Sequence, residues 1–297
     1  MKPLENPFGH SNYSDQKDLE LLSLALAGDK KGLTQLIERH QKYIFNIALK
    51  MINNVEDAKD VTQEVLLKLI THLGKYDASK GKFRTWLYRI TFNHILNIKK
   101  QKYEQLVTGF DSFFDAIENA PTHELSDEEE KDMQQFIEES KVACMAGMLM
   151  CLSRAQRLIY TVGEVFEIDH KLASEIFEIT PANFRQKLSR ARKDLYQWMN
   201  NRCGLVNKEN PCRCKKKTKG FIENGWVNPD KLTWNSDYHQ SILEVTNSKI
   251  ESTLLTVDDI YAKLYKEHPF KIDKTKKNIV EEIINNQELK AVFRLSE

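Results

Sequence analysis

Apolar residues recur at steps of three and four along much of the first hundred positions, and this spacing predicts amphipathic helices. Two such stretches cover 21–25 and 33–48. A third starts near Asn54 and continues with Ala58, Val61, Val65, Leu69 and Leu73. After a turn at 76–82, a fourth helix is expected to bury the face formed by Phe83, Leu87, Ile90, His94 and Ile98, with Trp86 at its flank.

The helical pattern returns between 144 and 199, where two helices are separated by a break. A short helix carries Leu172, Ala173 and Ile176 and ends at 178–180. Thr180 followed by Pro181 is typical of a helix start, because Thr caps the first turn and Pro fits its first position. The next helix repeats apolar residues at Phe184, Leu188, Ala191, Leu195 and Trp198. The pair predicts a helix-turn-helix motif with a strongly basic second helix.

Length and composition extend this prediction to the whole chain. Few glycines (11) and prolines (7) among 297 residues favour helices over short strands and tight turns. The length exceeds what one small helical core needs, so more than one domain is expected. We therefore predict an all-α fold with two small helical domains, joined by an acidic linker and followed by a helical C-terminal extension.

The changes in residue pattern along the chain predict six segments. In order they are a flexible tail (1–16), a first helical domain (17–104), an acidic linker (105–140), a second helical domain with the helix-turn-helix (141–202), a Cys-rich basic segment (203–220), and a helical extension of unknown role (221–297). The linker is expected to contain at most a short helix at its end and to let the two domains lie well apart.

Charge is segregated although the net charge is only +1. Residues 111–132 hold nine acidic residues against Lys131, whereas residues 181–220 hold twelve Lys or Arg against Asp194 and Glu209. A basic stretch of this density is expected to bind a polyanion such as DNA. In the helix-turn-helix the exposed positions of the second helix would read base edges. They are Asn183, Arg185, Gln186, Lys187, Ser189, Arg190 and Lys193.

Neither a signal peptide nor a run of about 18 apolar residues occurs, so a cytoplasmic location is expected. In that reducing compartment the five cysteines are expected to be reduced. Cys203, Cys212 and Cys214 offer three thiolates for one zinc ion, with Cys144, Cys151 or a histidine as a fourth ligand. Reduced structural cysteines and a redox sensor are the alternatives. No cofactor is otherwise expected.

The stretches EDAKDVTQEVLLKLITHL and YDASKGKFRTWLYRITFNHILNIKK resemble the best-known part of the extracytoplasmic-function (ECF) sigma factors. In that family the acidic D-x-x-Q-E-V helix docks on the clamp of the largest polymerase subunit. The resemblance implies this role for Asp57, Asp60, Gln63 and Glu64. It also implies core RNA polymerase and promoter DNA as partners, an anti-sigma factor as a further candidate partner, and no membrane.

The FRTWLYRI block resembles the part of the family that opens and captures the downstream (minus-10) promoter element. Stacking surfaces and positive charge suit that task, because they hold unpaired bases. The residues assigned to it are Arg84, Trp86, Arg89, Asn93, Asn97, Lys99 and Lys100, although Phe83 and Trp86 are also expected to support the core. Residues 150–199 resemble the domain that reads the upstream (minus-35) element. They depart from it at Glu178, where the turn commonly has glycine.

Two other classes of protein are alternatives to this resemblance. A helix-turn-helix repressor or activator would explain 169–199 but leaves the first domain unexplained. An enzyme is not expected, because the phosphate-loop, H-E-x-x-H and G-x-S-x-G motifs are absent. Three thiolates without a paired acid or base also make poor catalytic machinery.

Overall fold

The computed structural model describes residues 6–9, 13–99, 102–230 and 232, and in this part of the chain it contains helices and no strands. The prediction of an all-α fold is confirmed. The helices are α1 (Asp15–Leu26), α2 (Lys30–Ile52), α3 (Val55–His72), α4 (Phe83–Asn97), α5 (Lys102–Leu106), α6 (Phe110–Asn119), α7 (Asp127–Asp132), α8 (Gln134–Met150), α9 (Arg154–Tyr160), α10 (His170–Phe177), α11 (Pro181–Arg202) and α12 (Cys214–Glu223).

Consecutive asparagines separate α2 from α3, as the sequence predicts. Asn53 ends α2 in the left-handed conformation, with φ of 59°, which asparagine tolerates better than most residues. The side chain of Asn54 then accepts a hydrogen bond from the Asp57 N–H at 3.0 Å and caps α3. The buried side of α3 contains Ala58, Val61, Val65 and Leu69, which confirms the predicted apolar face.

Helix α4 buries a different face from the one predicted. Phe83 and Leu87 are buried, but Ile90, His94 and Ile98 are only half-buried. The side chains that fill the core instead are Tyr88, Thr91, Phe92 and Ile95. The helix is apolar or aromatic on most sides, so periodicity alone could not say which side faces the neighbouring helices.

The prediction of a linker at 105–140 is wrong, because the segment folds into helices α5 to α7 and the first turns of α8. Phe114 and Ile117 of α6 are buried, and the rings of Phe110 and Phe114 stack on Trp198 of α11 at centroid distances of 5.5 and 5.9 Å. Stacking and apolar burial order this acidic segment against the second domain.

The two predicted domains do not lie apart but share one hydrophobic core. Phe8 is fully buried in it, and its ring lies 4.5 Å from the ring of Tyr88 in α4 and 5.9 Å from that of Phe166, which precedes α10. The Asp169 N–H donates to the Phe8 carbonyl at 3.1 Å. The prediction of a flexible tail over 1–16 is therefore wrong for residues 6–9, and residues 1–5 and 10–12 lie outside the described residues.

A buried ionic cluster joins the two halves at a second place. The guanidinium of Arg157, only 3% exposed, donates to Glu104 at 3.0 Å and to the carbonyls of Leu149 and Leu152. Arg154 donates to the same carboxylate at 2.8 Å and to the Leu96 carbonyl near the end of α4. Because these charges are paired and hydrogen-bonded, their burial is tolerated.

Residues of the acidic segment 111–132 form ion pairs with residues of the basic segment 181–220. The ammonium of Lys215 in α12 lies 2.8 Å from the carboxylate of Glu130 in α7. The ammonium of Lys219 lies 2.7 Å from the carboxylate of Glu129. The same arrangement joins Lys216 to Glu124 and Arg202 to Glu118. The prediction that the whole stretch 181–220 is a surface for a polyanion is therefore too broad, since its C-terminal part is neutralised within the chain.

Candidate nucleic-acid interface

Helix α11 presents its predicted DNA-reading residues to solvent. Phe184, Leu188, Ala191 and Leu195 pack into the core. The opposite side is exposed at all seven predicted positions, namely Asn183, Arg185, Gln186, Lys187, Ser189, Arg190 and Lys193. The ion pairs of this helix in the described residues use Arg192, with Glu164, and Arg202. The exposed face thus combines solvent-facing cations with amide donors and acceptors, which suits phosphates and base edges.

The turn before α11 has the predicted chemistry. The hydroxyl of Thr180 accepts from the Asn183 N–H at 3.2 Å, with Pro181 at the first helical position. Glu178 ends α10 with φ of 55°, in the left-handed region that costs a residue other than glycine about 1–2 kcal/mol. Its carboxylate lies 3.0 Å from the guanidinium of Arg89 on α4. The residue that departs from the expected glycine therefore forms a contact between the two halves.

The predicted minus-10 residues of α4 divide into three groups. Asn93, Asn97 and Lys99 are exposed, whereas Lys100 lies outside the described residues. Trp86 is half-buried and packs on the rings of Tyr76 and Phe83, at 5.8 and 5.6 Å. Arg89 is half-buried and also donates to the Glu175 carbonyl of α10 at 2.6 Å. The exposed residues of this set, which a nucleic acid can reach directly, are thus Asn93, Asn97 and Lys99.

Arg84 does not belong to this exposed surface, and its prediction as an exposed DNA contact is wrong for this arrangement. It is 3% exposed and donates to the carbonyls of Pro7 and Gly9 at 3.1 and 3.2 Å. Its guanidinium lies 2.8 Å from Asp15. The N-terminal segment covers this side of α4, so Arg84 holds that segment in place.

The predicted polymerase-binding residues lie along one side of α3, opposite its buried face. Asp60 and Glu64 are exposed, and Asp57 and Gln63 are half-buried. Glu64 also lies 3.1 Å from Nε2 of His94 on α4. Their spacing of three and four residues makes a continuous acidic ridge that a basic surface could contact.

A buried polar network that the sequence did not reveal fixes α1, α2 and α4 to one another. Asp18 is fully buried, and its carboxylate accepts from Arg39 at 2.8 Å and from the Tyr13 hydroxyl. His40 lies 3.5 Å from Asp18 and 3.3 Å from the Tyr88 hydroxyl. Burial alone would raise the pKa of Asp18, but the interactions with His40, Tyr13 and Arg39 prevail and lower it.

Of the predicted zinc ligands, Cys203 ends α11, Cys212 lies in the segment that follows and Cys214 begins α12. Cys203 is buried in the hydrophobic core. The side chains of Cys212 and Cys144 are half-buried and pack against that core. In the described residues no group of three or more Cys, His, Asp or Glu side chains could hold a metal ion. The structure therefore gives the zinc site no support, and zinc binding stays a prediction from the sequence.

Comparisons with known proteins bear on α2 to α4. The family model for sigma-70 region 2 matches residues 36–103. The RNA polymerase sigma-H factor of Pseudomonas aeruginosa is 24% identical over 185 residues, which cover 61% of this chain and 92% of that protein. The ECF RNA polymerase sigma factor SigM of Bacillus subtilis is 25% identical over 166 residues, or 55% of this chain and 92% of that protein.

One solved structure, of CnrH in complex with the cytosolic domain of CnrY, is similar at 18% identity with a TM-score of 0.46. The similarity covers 62% of this chain and 98% of CnrH. Among the helices that the structure describes, none is both long and apolar enough to cross a membrane.

Proposed function

Because the chain belongs to the ECF sigma factors, we propose that it docks on core RNA polymerase through α3, reads the upstream promoter element with α11 and helps to open the downstream element with α4. As a sigma factor it binds core polymerase and directs it to promoters for transcription initiation. The observation that supports the division of work is the match of residues 36–103 to sigma-70 region 2, with the exposed basic face of α11 outside that match.

The acidic ridge of α3 is the proposed polymerase contact. Asp60 and Glu64 project from a helix whose other side is buried, so changes there affect the surface and not the core. A repressor acting without polymerase would have no use for this ridge or for the region 2 match. The function proposed for the chain is binding without catalysis, in the cytoplasm where polymerase acts, and an anti-sigma factor remains a candidate partner.

The packing of α4 against α10 implies a change of shape during this work. Arg89 joins the two helices through Glu178 and the Glu175 carbonyl. Elements centred at minus 10 and minus 35 are about 25 base pairs apart, or roughly 85 Å at 3.4 Å per base pair. While α4 and the helix-turn-helix stay in contact, they cannot reach both promoter elements at once. We therefore infer that binding to polymerase separates α4 from the helix-turn-helix.

Charge reversal on the ridge tests the polymerase contact. The pair Asp60→Lys and Glu64→Lys should lower the affinity for core polymerase at least tenfold, which is about 1.4 kcal/mol, because two favourable charge contacts become repulsive. The measurement is co-elution with core polymerase and titration by fluorescence anisotropy, with helicity from circular dichroism.

Glu20→Lys with Glu38→Lys is the matched control, since both residues are exposed on other helices and the change in charge is the same. The control should keep its affinity. Equal affinity of the ridge variant and the wild type would overturn the assignment of α3.

A further inference from the structure

The short segment at 6–9 lies in the joint between the two halves of the chain. Phe8 is fully buried there, and its ring lies 5.7 Å from that of Tyr43 on α2 and 4.5 Å from that of Tyr88 on α4. The same ring lies 5.9 Å from that of Phe166, which precedes α10. One side chain therefore contributes to the packing of both halves. We call residues 6–9 the strap.

Hydrogen bonds fix the strap to the residues just before α10. The Asn6 side-chain amide donates to the Phe166 carbonyl at 3.2 Å. The Asp169 N–H donates to the Phe8 carbonyl at 3.1 Å. Within the strap, the side-chain oxygen of Asn6 accepts from the Phe8 N–H at 3.0 Å, and its backbone carbonyl accepts from the Gly9 N–H at 3.2 Å. Asn6 thus folds the strap into a turn and also binds it to the second half.

On the side of the first half, the strap occupies a cation at the start of α4. The Arg84 guanidinium donates to the Pro7 and Gly9 carbonyls at 3.1 and 3.2 Å. It also lies 2.8 Å from the Asp15 carboxylate, and Lys82 lies 3.0 Å from the same carboxylate. These oxygens hold the donors that a nucleic acid would contact with its phosphate oxygens. While the strap is in place, Arg84 cannot contact DNA.

We propose that the strap is an autoinhibitory contact, which holds the two halves closed in the free chain and must leave before α4 can present Arg84 to promoter DNA. This inference rests on the proposed function, in which binding to polymerase separates α4 from the helix-turn-helix. That separation pulls the strap away from one of the two halves, so it exposes the ring of Phe8. The free energy of the broken contacts therefore weakens the observed binding to polymerase.

Burial distinguishes the strap from the ion pair that joins α4 to the end of α10. The side chains of Arg89 and Glu178 are 40% and 68% exposed, and ion pairs at such positions contribute little. Phe8 is 0% exposed, and truncation of a buried phenylalanine shifts a folding equilibrium by roughly a hundredfold or more. We therefore expect a substitution of Phe8 to loosen the closed form more than a substitution of Arg89.

Autoinhibition and a purely structural role of Phe8 predict opposite changes in polymerase affinity. If the closed form were the one that binds, truncation of Phe8 would weaken binding or leave it unchanged. If only the open form binds, the apparent affinity is the intrinsic affinity reduced to the fraction of chains that are open. A change that loosens the closed form then tightens binding, even though it lowers the stability of the free chain.

The test is titration of core polymerase with the labelled full chain, as wild type, Phe8→Ala and Asn6→Ala. Phe8→Ala should bind roughly tenfold more tightly or better. Asn6→Ala removes hydrogen bonds but no buried ring and should bind roughly threefold more tightly. Phe221→Ala is the matched control, because it truncates a buried ring on α12 that packs on Trp226, and it should not tighten binding. Equal or weaker binding by a Phe8→Ala chain of native helicity would overturn the inference.

Hydrogen exchange of the wild type keeps the test decisive if Phe8→Ala fails to fold. The Asp169 N–H is bonded to the Phe8 carbonyl in the closed form, so its exchange should be roughly tenfold faster or more in the complex with core polymerase. Amides in the interior of α2 should not exchange faster. A complex in which Asp169 stays protected would overturn the strap and leave the proposed function standing. A wild type that binds no core polymerase would contradict the proposed function itself, and the strap with it.

Discussion

At the scale of single residues, a few charged groups in this chain are buried, although charged side chains usually lie on the surface. Asp18 and Arg84 are buried because both have polar hydrogen-bond partners. One partner of Arg84 is the Pro7 carbonyl, which lies 77 residues earlier in the sequence. The sequence predicted the exposure of all seven α11 residues correctly. It could not predict the burial of Arg84, because helical periodicity says nothing of a distant segment.

The replacement Asp18→Asn should destabilise the chain by about 3 kcal/mol at neutral pH, because Arg39 loses its partner in a buried site. The folded pKa of Asp18 is lowered, so its contribution is complete above about pH 4, the usual value for Asp, and is lost as the pH falls through the folded pKa. Urea unfolding between pH 7 and pH 3 should show the two proteins becoming more alike in acid.

Glu20→Gln is the control for this change, since it also neutralises an acid on α1 but at an exposed position. Its stability should stay within about 0.5 kcal/mol of wild type. A constant difference between Asp18→Asn and wild type over the whole pH range would show that the carboxylate charge of Asp18 does not stabilise the fold.

At the scale of helices, those with strong periodicity and clear caps were predicted closely, as α3 after Asn54 and α11 after Thr180 show. Helix α6 was not predicted although Phe110, Phe113, Phe114 and Ile117 have helical spacing, because the nine acidic residues nearby are typical of a linker. Two of these acids, Glu129 and Glu130, pair with α12, a partner that composition alone does not reveal.

The basic residues on the exposed face of α11 are expected to bind DNA, whereas Lys215 and Lys219 of α12 form ion pairs within the chain. Replacing Arg185 and Arg190 by Ala should weaken binding of promoter duplex, because each bidentate hydrogen-bonded pair with a base is worth roughly 1–3 kcal/mol. Binding by the wild type should also fall steeply with salt, and the variant should show a shallower slope. Both are measured by anisotropy titration of an upstream-element duplex with the complex of the chain and core polymerase.

Lys215→Ala with Lys219→Ala removes the same charge from the same basic stretch, but from residues paired with Glu130 and Glu129. This pair should leave duplex affinity nearly unchanged. If it weakened binding as much as the α11 pair, the whole stretch would act as one diffuse basic surface, and the assignment of base reading to α11 would be wrong.

At the scale of the whole molecule, the two halves were predicted as separate domains but share a core around Phe8 and a contact between Arg89 and Glu178. Glu178 was visible in the sequence as a departure from glycine, but its partner was not, because the pairing spans 89 residues and depends on how the halves pack. The region 2 resemblance, in contrast, depended on a local stretch of sequence and is confirmed by the family match.

Helices α4 and α11 are proposed to perform different steps of initiation, and promoter opening distinguishes these two steps. With core polymerase, wild type should make thymines of the downstream element reactive to permanganate. Asn93→Ala with Asn97→Ala should lower that reactivity severalfold while upstream binding is kept, because both side chains are exposed on α4, where the Asn97 amide donates to the Asn93 carbonyl. Equal loss of upstream binding and opening in this variant, or no opening by wild type, would contradict separate roles for α4 and α11.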